Sequence, residues 1–336
     1  MKNKQWRFYK GIFTLLPVYS FLLLRVGRQK RFIANHLEKD LFNFKVTNDG
    51  SLEKKEFKKI THYYALGVPG VLGEALAVLR GESMTARERL CLSYLGGISG
   101  LLDDLFDDPG KEVSHLKGFI LHPEEMKPGN SHEELLLNLY QKGLTFSNHP
   151  EKLKQQAVKV FEAQVQSTSQ KIEVIPPPEI EAITKAKGGE SFLFYRLCME
   201  HRLEKAEADL LYHLGGLMQL GNDIFDVWED HKEGTVTEAT MCADIDNLRD
   251  SFDLKLKETF SLAENTTYDK KNINKFLKIT TLALARVYVC LDQFKKLQKT
   301  SGNIFTPEKY SRKQLICDMQ RPRNQFSTLK YYLKII

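Results

Sequence analysis

Two acidic stretches hold the residues best placed to do chemistry. The first, Asp103-Asp104-Leu105-Phe106-Asp107-Asp108, closes a leucine-rich segment that Pro109-Gly110 terminates. Asp103/Asp107 and Asp104/Asp108 are i, i+4 pairs, so on a helix their carboxylates share one side. Such a cluster repels itself and stands at the negative end of the helix dipole, and a hard divalent cation is the simplest thing to offset that cost. The second stretch runs from Gln219 to Asp230 and places Asn222, Asp226 and Asp230 at i, i+4 and i+8. On a helix these three drift by only about 80° over roughly 12 Å of axis. Three oxygen ligands at that spacing suit Mg²⁺, which keeps several waters and completes its shell from a substrate phosphate.

An acidic run alone is more often a solvated helix face, and neither stretch has the Asp-x-Asp-x-Asp-Gly order of a calcium loop. Taken together they say more. Two carboxylate sets on apolar helices can face each other across a bundle. The space between would be apolar and capped by magnesium, a site for a molecule with a hydrocarbon tail and a diphosphate head.

The elements that must position these residues read as helices almost throughout. Apolar residues fall at helical spacing over 52–80, interrupted at Gly67-Val68-Pro69-Gly70, and Thr85 with Glu88 forms a capping box that opens a helix to about residue 107. Residues 109–131, with three prolines, read as a long loop. Helical spacing returns over 132–172, stops at Pro176-Pro177-Pro178, and resumes near Glu179 with a kink or break expected at Gly188-Gly189. One long helical pattern covers 204–231 and Gly234 closes it; two or three more helices follow over 239–336, with a loop at 300–307. Alternating strand patterns are absent. The expectation is a single all-α domain over 1–336, a bundle of about ten helices.

The chain has 336 residues and a formal net charge of +6. Its excess charge is local. Residues 1–32 carry Lys2, Lys4, Arg7, Lys10, Arg25, Arg28, Lys30 and Arg31 and no acid; with those eight set aside, the 49 basic residues fall to 41 against 43 acidic ones. The body therefore has no basic face for nucleic acid, and aromatics do not interleave with the cations as a stacking surface requires. The five cysteines lie far apart without a CxxC pair, which reads as reduced core cysteine in the cytoplasm. The apolar run 11–24 is too short to span a bilayer and contains Pro17. It reads first as a helix packed on the body, second as a basic apolar segment resting on an anionic membrane.

In its two acidic stretches the chain resembles the class I isoprenoid (terpenoid) synthase superfamily. Asp103-Asp104-Leu105-Phe106-Asp107 is similar to the first aspartate-rich motif, DDxxD. Asn222-Asp223-Ile224-x-Asp226-x-x-x-Asp230 is similar to the cyclase triad ND(L/I)x(S/T)xxxE, with Asp in place of Ser and of Glu. Read from Gln219-Leu220 through Glu229-Asp230 to Gly234, the same segment resembles the second motif of phytoene and squalene synthases. The resemblance covers about residues 85–237. It implies a helical bundle around a central apolar cavity in which three Mg²⁺ ions bind a prenyl diphosphate, held by Asp103, Asp104 and Asp107 on one side and by Asn222, Asp226 and Asp230 on the other. The diphosphate would meet Lys187, Arg196 and Lys232, with Arg321, Arg323 and the Lys330-Tyr331 pair as late contacts. Phe106, Phe192, Tyr195 and Phe225 would line the cavity, although core packing is the more common role for each of them taken singly. The resemblance also allows a homodimer.

Departures from the family patterns separate the activities. Chain elongation uses an Arg-Arg pair after DDxxD and an upstream Gly-Lys-x-x-Arg element, and both are missing from PGKEVSHLKG and LRGESMTARERL. Head-to-head coupling uses a Tyr-rich helix before the first motif, which YLGGISGLLDD does not resemble. Cyclisation, which needs one diphosphate only, is the first expectation; head-to-head coupling comes next, then elongation. A non-catalytic lipid-binding or partner subunit is the reading from a different class.

Overall fold

The computed structural model describes residues 2–106, 112–171 and 175–336, with side chains described from residue 15 onward. The fold is all-α, as the hydrophobic spacing predicts, and no strand occurs among the described residues. The chain groups into two compact units, Ile12–Phe161 with Phe194–Leu203, and Glu162–Leu193 with Glu204–Ile336 and Met1–Gly11. No helix among the described residues is long and apolar enough to cross a membrane.

In the unit built on Ile12–Phe161, the helix Ala86–Gly97 is the central element. The Thr85–Glu88 capping box forms as expected, Thr85 accepting from the Glu88 amide and Glu88 from that of Thr85. Cys91, Leu92 and Leu95 are fully buried; the helix packs on Ser131–Thr145, where Leu95 lies against Gly143, and Leu92 lies against Gly73. The polar groups around Arg89 and Gln29 in this unit are paired, as burial demands. Arg89 binds Glu74 and donates to Gln29 Oε1 at 2.9 Å, while Gln29 Nε2 donates to the Ala65 carbonyl and to Ser93 Oγ at 2.8 Å each.

The other unit is organised around the helix Lys270–Thr300, which packs on the helices Lys205–Phe225, Ile245–Leu262 and Pro322–Ile335 and whose Phe276, Leu284, Leu291 and Phe294 are fully buried. The helices Pro177–Arg196 and Lys205–Phe225 approach so closely that a Cβ on Gly188 would lie 2.1 Å from the Gly215 carbonyl oxygen. Gly188-Gly189 therefore does not break the helix, contrary to expectation. Helix Pro177–Arg196 is continuous through both residues; Gly188 makes room for the Gly215 backbone and Gly189 for the Tyr212 ring.

Three further expectations are corrected. Residues 109–131 contain the helix Val113–Leu121, whose Leu116, Phe119 and Ile120 are buried; the flanking prolines hid its short apolar face. The segment read as one helix from 85 to 107 is two, Ala86–Gly97 and Ser99–Phe106, parted at Ile98. The 204–231 pattern is likewise two helices, Lys205–Phe225 and Val227–Glu233, parted at Asp226 with φ −96° and ψ 11°. Gly234, at φ +73°, closes the second of them as expected, since only glycine adopts that left-handed conformation without cost.

Candidate functional site

Asp103 and Asp104 of the first acidic stretch lie on the helix Ser99–Phe106, which is met by a π-helical turn, Lys59–Tyr64. Residues five apart stack in such a turn, which puts Lys59 and Tyr64 on one side. Both reach the acidic helix because Gly100 has no side chain: a Cβ there would meet the Tyr64 ring at 2.8 Å and Lys59 Cδ at 3.3 Å. Lys59 Nζ lies 2.6 Å from Asp104 Oδ1, and Tyr64 Oη donates to Asp103 Oδ2 at 3.3 Å. Burial, with the Asp103 charge behind it, holds the Tyr64 phenol above its ordinary range, so Tyr64 stays a donor at neutral pH. Tyr195 shares a 2.6 Å hydrogen bond with Ser99 Oγ, and its phenol is pushed up to about 12 mainly by burial. Asp104 Oδ2 is buried without a hydrogen-bond partner. Phe106 packs on Phe161 with ring centroids 5.1 Å apart. Asp107 lies outside the described residues.

The second stretch belongs to the other unit. Asn222 is exposed and Asp226 and Asp230 are half-buried, one turn apart along a continuous line of backbone hydrogen bonds, 222 to 226 at 2.9 Å and 226 to 230 at 2.8 Å. Asn222 Nδ2 donates to Asp226 Oδ2 at 2.8 Å. Burial raises the Asp226 carboxyl above its ordinary value, and repulsion from Glu229 adds to it. Asp230 is pushed up to about 7 by burial first, then by Asp223 and Asp226. Asp223 turns the other way, to Thr184 Oγ1 at 3.1 Å and Gln219 Nε2 at 2.8 Å, and burial lifts it to about 6. Lys187 opposes all three shifts, so its ammonium stands in the field of Asp223, Asp226 and Asp230. The ladder is thus a set of oxygens whose negative charge the protein itself leaves undercompensated.

The other basic candidates are placed differently. Arg196 is fully buried and donates to the carbonyls of His201 (3.2 Å) and Arg202 (3.1 Å) and contacts His201 Nε2 at 2.6 Å, which commits its guanidinium to that turn. Lys232, Arg323 and Lys330 are exposed, and Arg321 pairs with Asp318 at 3.3 Å. Tyr331 donates to Asp292 Oδ2 at 2.7 Å and stacks on Tyr288 with centroids 5.0 Å apart. Phe192 is half-buried on the helix that carries Lys187. Phe225 lies under the Arg286 guanidinium, 5.7 Å from its ring centroid.

Sequence reasoning missed Lys59, Tyr64 and Arg286. The first two lie some forty residues before the acidic helix, and no spacing rule links them to it. A usable signal was present in Gly100, a glycine inside an apolar helix just before the aspartates, which marks a close neighbour.

Among the described residues no group of three or more His, Cys, Asp or Glu side chains is set to hold a metal ion. Asn222 supplies an amide oxygen to two carboxylates instead. In each stretch taken by itself the donor chemistry suits a hard divalent cation: every candidate ligand is an oxygen, Asp104 Oδ2 in the one and Glu229 Oε2 in the other are buried without partners, and burial raises the Asp226 and Asp230 carboxyls.

No family model matches the chain, and no curated protein matches it.

Proposed function

We propose that the chain is a magnesium-dependent class I isoprenoid synthase that ionises a prenyl diphosphate, with cyclisation as the outcome. One observation carries the reading most directly: Asn222, Asp226 and Asp230 form a ladder of oxygens across the junction of the helices Lys205–Phe225 and Val227–Glu233, with Asp230 held up at about 7 and a lysine, Lys187, in the field of its two carboxylates. A solvated acidic face would show neither the burial nor the raised carboxyls.

On this reading Asp104, with Asp103 and Asp107, and the Asn222–Asp226–Asp230 ladder would hold Mg²⁺, which when bound supplies Lewis-acid charge to the departing diphosphate. Lys187 would neutralise diphosphate oxygens beside the ladder. The allylic carbon–oxygen bond breaks with its electron pair leaving on the diphosphate. Phe106, Phe192, Tyr195 and Phe225 would keep water from the cation that remains, and their ring faces favour positive charge. Tyr64 and Lys59 would hold the Asp103 and Asp104 carboxylates in place.

Asp103→Asn and Asn222→Ala test the assignment. Each is expected to abolish magnesium-dependent diphosphate release while helical circular dichroism stays intact. Unchanged release in either would remove that residue from the site.

A further inference from the structure

From Leu16 to Ile33 the helix Lys2–Asn35 has a packed side and an open one. Its inner side is fixed: Gln29 is fully buried and bonded to Ala65 and Ser93, Ile33 is buried, and Arg25 pairs with Glu74 at 3.3 Å. These contacts set the rotation of the helix and so determine what faces outward. There Leu16, Tyr19, Leu23 and Leu24 are 54%, 53%, 62% and 74% exposed. At 100° per residue Leu16, Tyr19 and Leu23 fall within about 60° of one another, with Leu24 on their flank. Just past them Arg28, Lys30 and Arg31 are exposed and form no ion pair among the described residues. The sequence before Leu16 continues in kind, with Lys2, Lys4, Arg7 and Lys10 among Trp6, Phe8, Tyr9, Ile12 and Phe13.

We propose that the outward side of residues 16–31 docks on an anionic lipid bilayer, with the helix lying in the plane of the interface. Leu16, Tyr19, Leu23 and Leu24 enter the boundary between headgroups and acyl chains, and Arg28, Lys30 and Arg31 meet the anionic headgroups. Charge selects this occupant. A second copy docked about a two-fold axis would set the same acid-free basic patch against itself. An anionic surface instead attracts each cation, by about five-fold in affinity per basic residue near it. The inference rests on this face alone and does not depend on the isoprenoid reading.

The test is sedimentation of the full chain with vesicles of phosphatidylcholine, and with vesicles of three parts phosphatidylcholine to one part phosphatidylglycerol. Binding to the anionic vesicles is expected to be tighter by about ten-fold or more and to weaken as salt rises. Arg28→Glu/Lys30→Glu/Arg31→Glu should remove that preference. Leu16→Ser/Leu23→Ser/Leu24→Ser should lower binding to both vesicle types, with unchanged thermal melts in each variant. If the leucine variant does not fold, the charge variant still decides. No binding by the unaltered chain, or equal binding by the charge variant, overturns the proposal. So does a concentration-dependent dimer in light scattering that the leucine variant dissolves, which would assign the face to a second copy.

Discussion

Lys59 Nζ lies 2.6 Å from Asp104 Oδ1, so the first acidic helix takes a counter-charge from a π-helical turn 45 residues upstream. The two side chains are 37% and 28% exposed, which limits what the pair adds to stability to about 1 kcal/mol or less. Its consequence for ligands is of the same size but easier to read. An ammonium on Asp104 occupies one of the two oxygens that a divalent cation would use. Lys59→Met is therefore expected to leave the melt nearly unchanged and to lower the Mg²⁺ concentration for half-maximal diphosphate release by about five-fold, the equivalent of about 1 kcal/mol of competing charge. An unchanged magnesium requirement would show that Lys59 only braces the helix.

Gly188 and Gly215 make the helix pair beneath the second acidic stretch. A Cβ on Gly188 would sit 2.1 Å from the Gly215 carbonyl, and one on Gly215 would sit 2.3 Å from that of Gly188. Backbone on both sides cannot yield cheaply, so Gly188→Ala is expected to cost about 3 kcal/mol or more in chemical denaturation. Gly27→Ala is the control: nothing lies within 4 Å of its Cβ position, and the helix should gain about 0.5–1 kcal/mol. Equal effects from the two would contradict the packing argument.

Asp230 makes stability depend on pH in a defined direction. Its carboxyl is raised from the ordinary 3.8 to about 7, so the folded chain binds more protons than the unfolded chain between those values. The stabilising contribution is full below about 3.8 and lost as pH rises through about 7. Asp230→Asn should then raise stability at pH 8 by about 1–2 kcal/mol, a value already discounted for solvent screening, and by nothing measurable at pH 4. Thermal melts of both proteins at the two pH values, without divalent cations, would check this.

How much of this was legible in the sequence divides by range. Capping signals were sound: the Thr85 capping box and the Gly234 stop both sit where residue chemistry puts them, whereas the helix Val113–Leu121 and the partings at Ile98 and Asp226 carry no such signal. The acidic ladder was legible because i, i+4, i+8 spacing follows from helical hydrogen bonding, which carries across the parting at Asp226. Long-range consequences were not. Gly188-Gly189 looks like a helix breaker until its neighbour Gly215 is known, and the Lys59 and Tyr64 contacts depend on a π-helical register with no sequence signature. Arg196, a free diphosphate contact by sequence, turned out to be committed to the His201-Arg202 turn through bonds that only folding creates.

His201 gives the opposite pH slope. It contacts Arg80 at 3.0 Å and Arg196 at 2.6 Å, and burial together with those two guanidiniums holds it down to about 4, against the pull of Glu88. The unfolded chain therefore binds the extra proton between about 4 and 6.5, and stability from this residue is full above 6.5 and lost as pH falls toward 4. His201→Gln should flatten that limb. Melting points over this range that fall equally in both proteins would contradict it.

The central claim is magnesium-dependent ionisation of a prenyl diphosphate, and product analysis tests it most directly. The purified chain is incubated with Mg²⁺ and geranyl, farnesyl or geranylgeranyl diphosphate, each with and without isopentenyl diphosphate, and extracts are analysed by mass. The account predicts diphosphate release and a hydrocarbon or alcohol with the carbon count of one substrate, formed without isopentenyl diphosphate. A doubled carbon count would mean head-to-head coupling, and a longer diphosphate formed only with isopentenyl diphosphate would mean elongation. No diphosphate release from any of the three would contradict the claim.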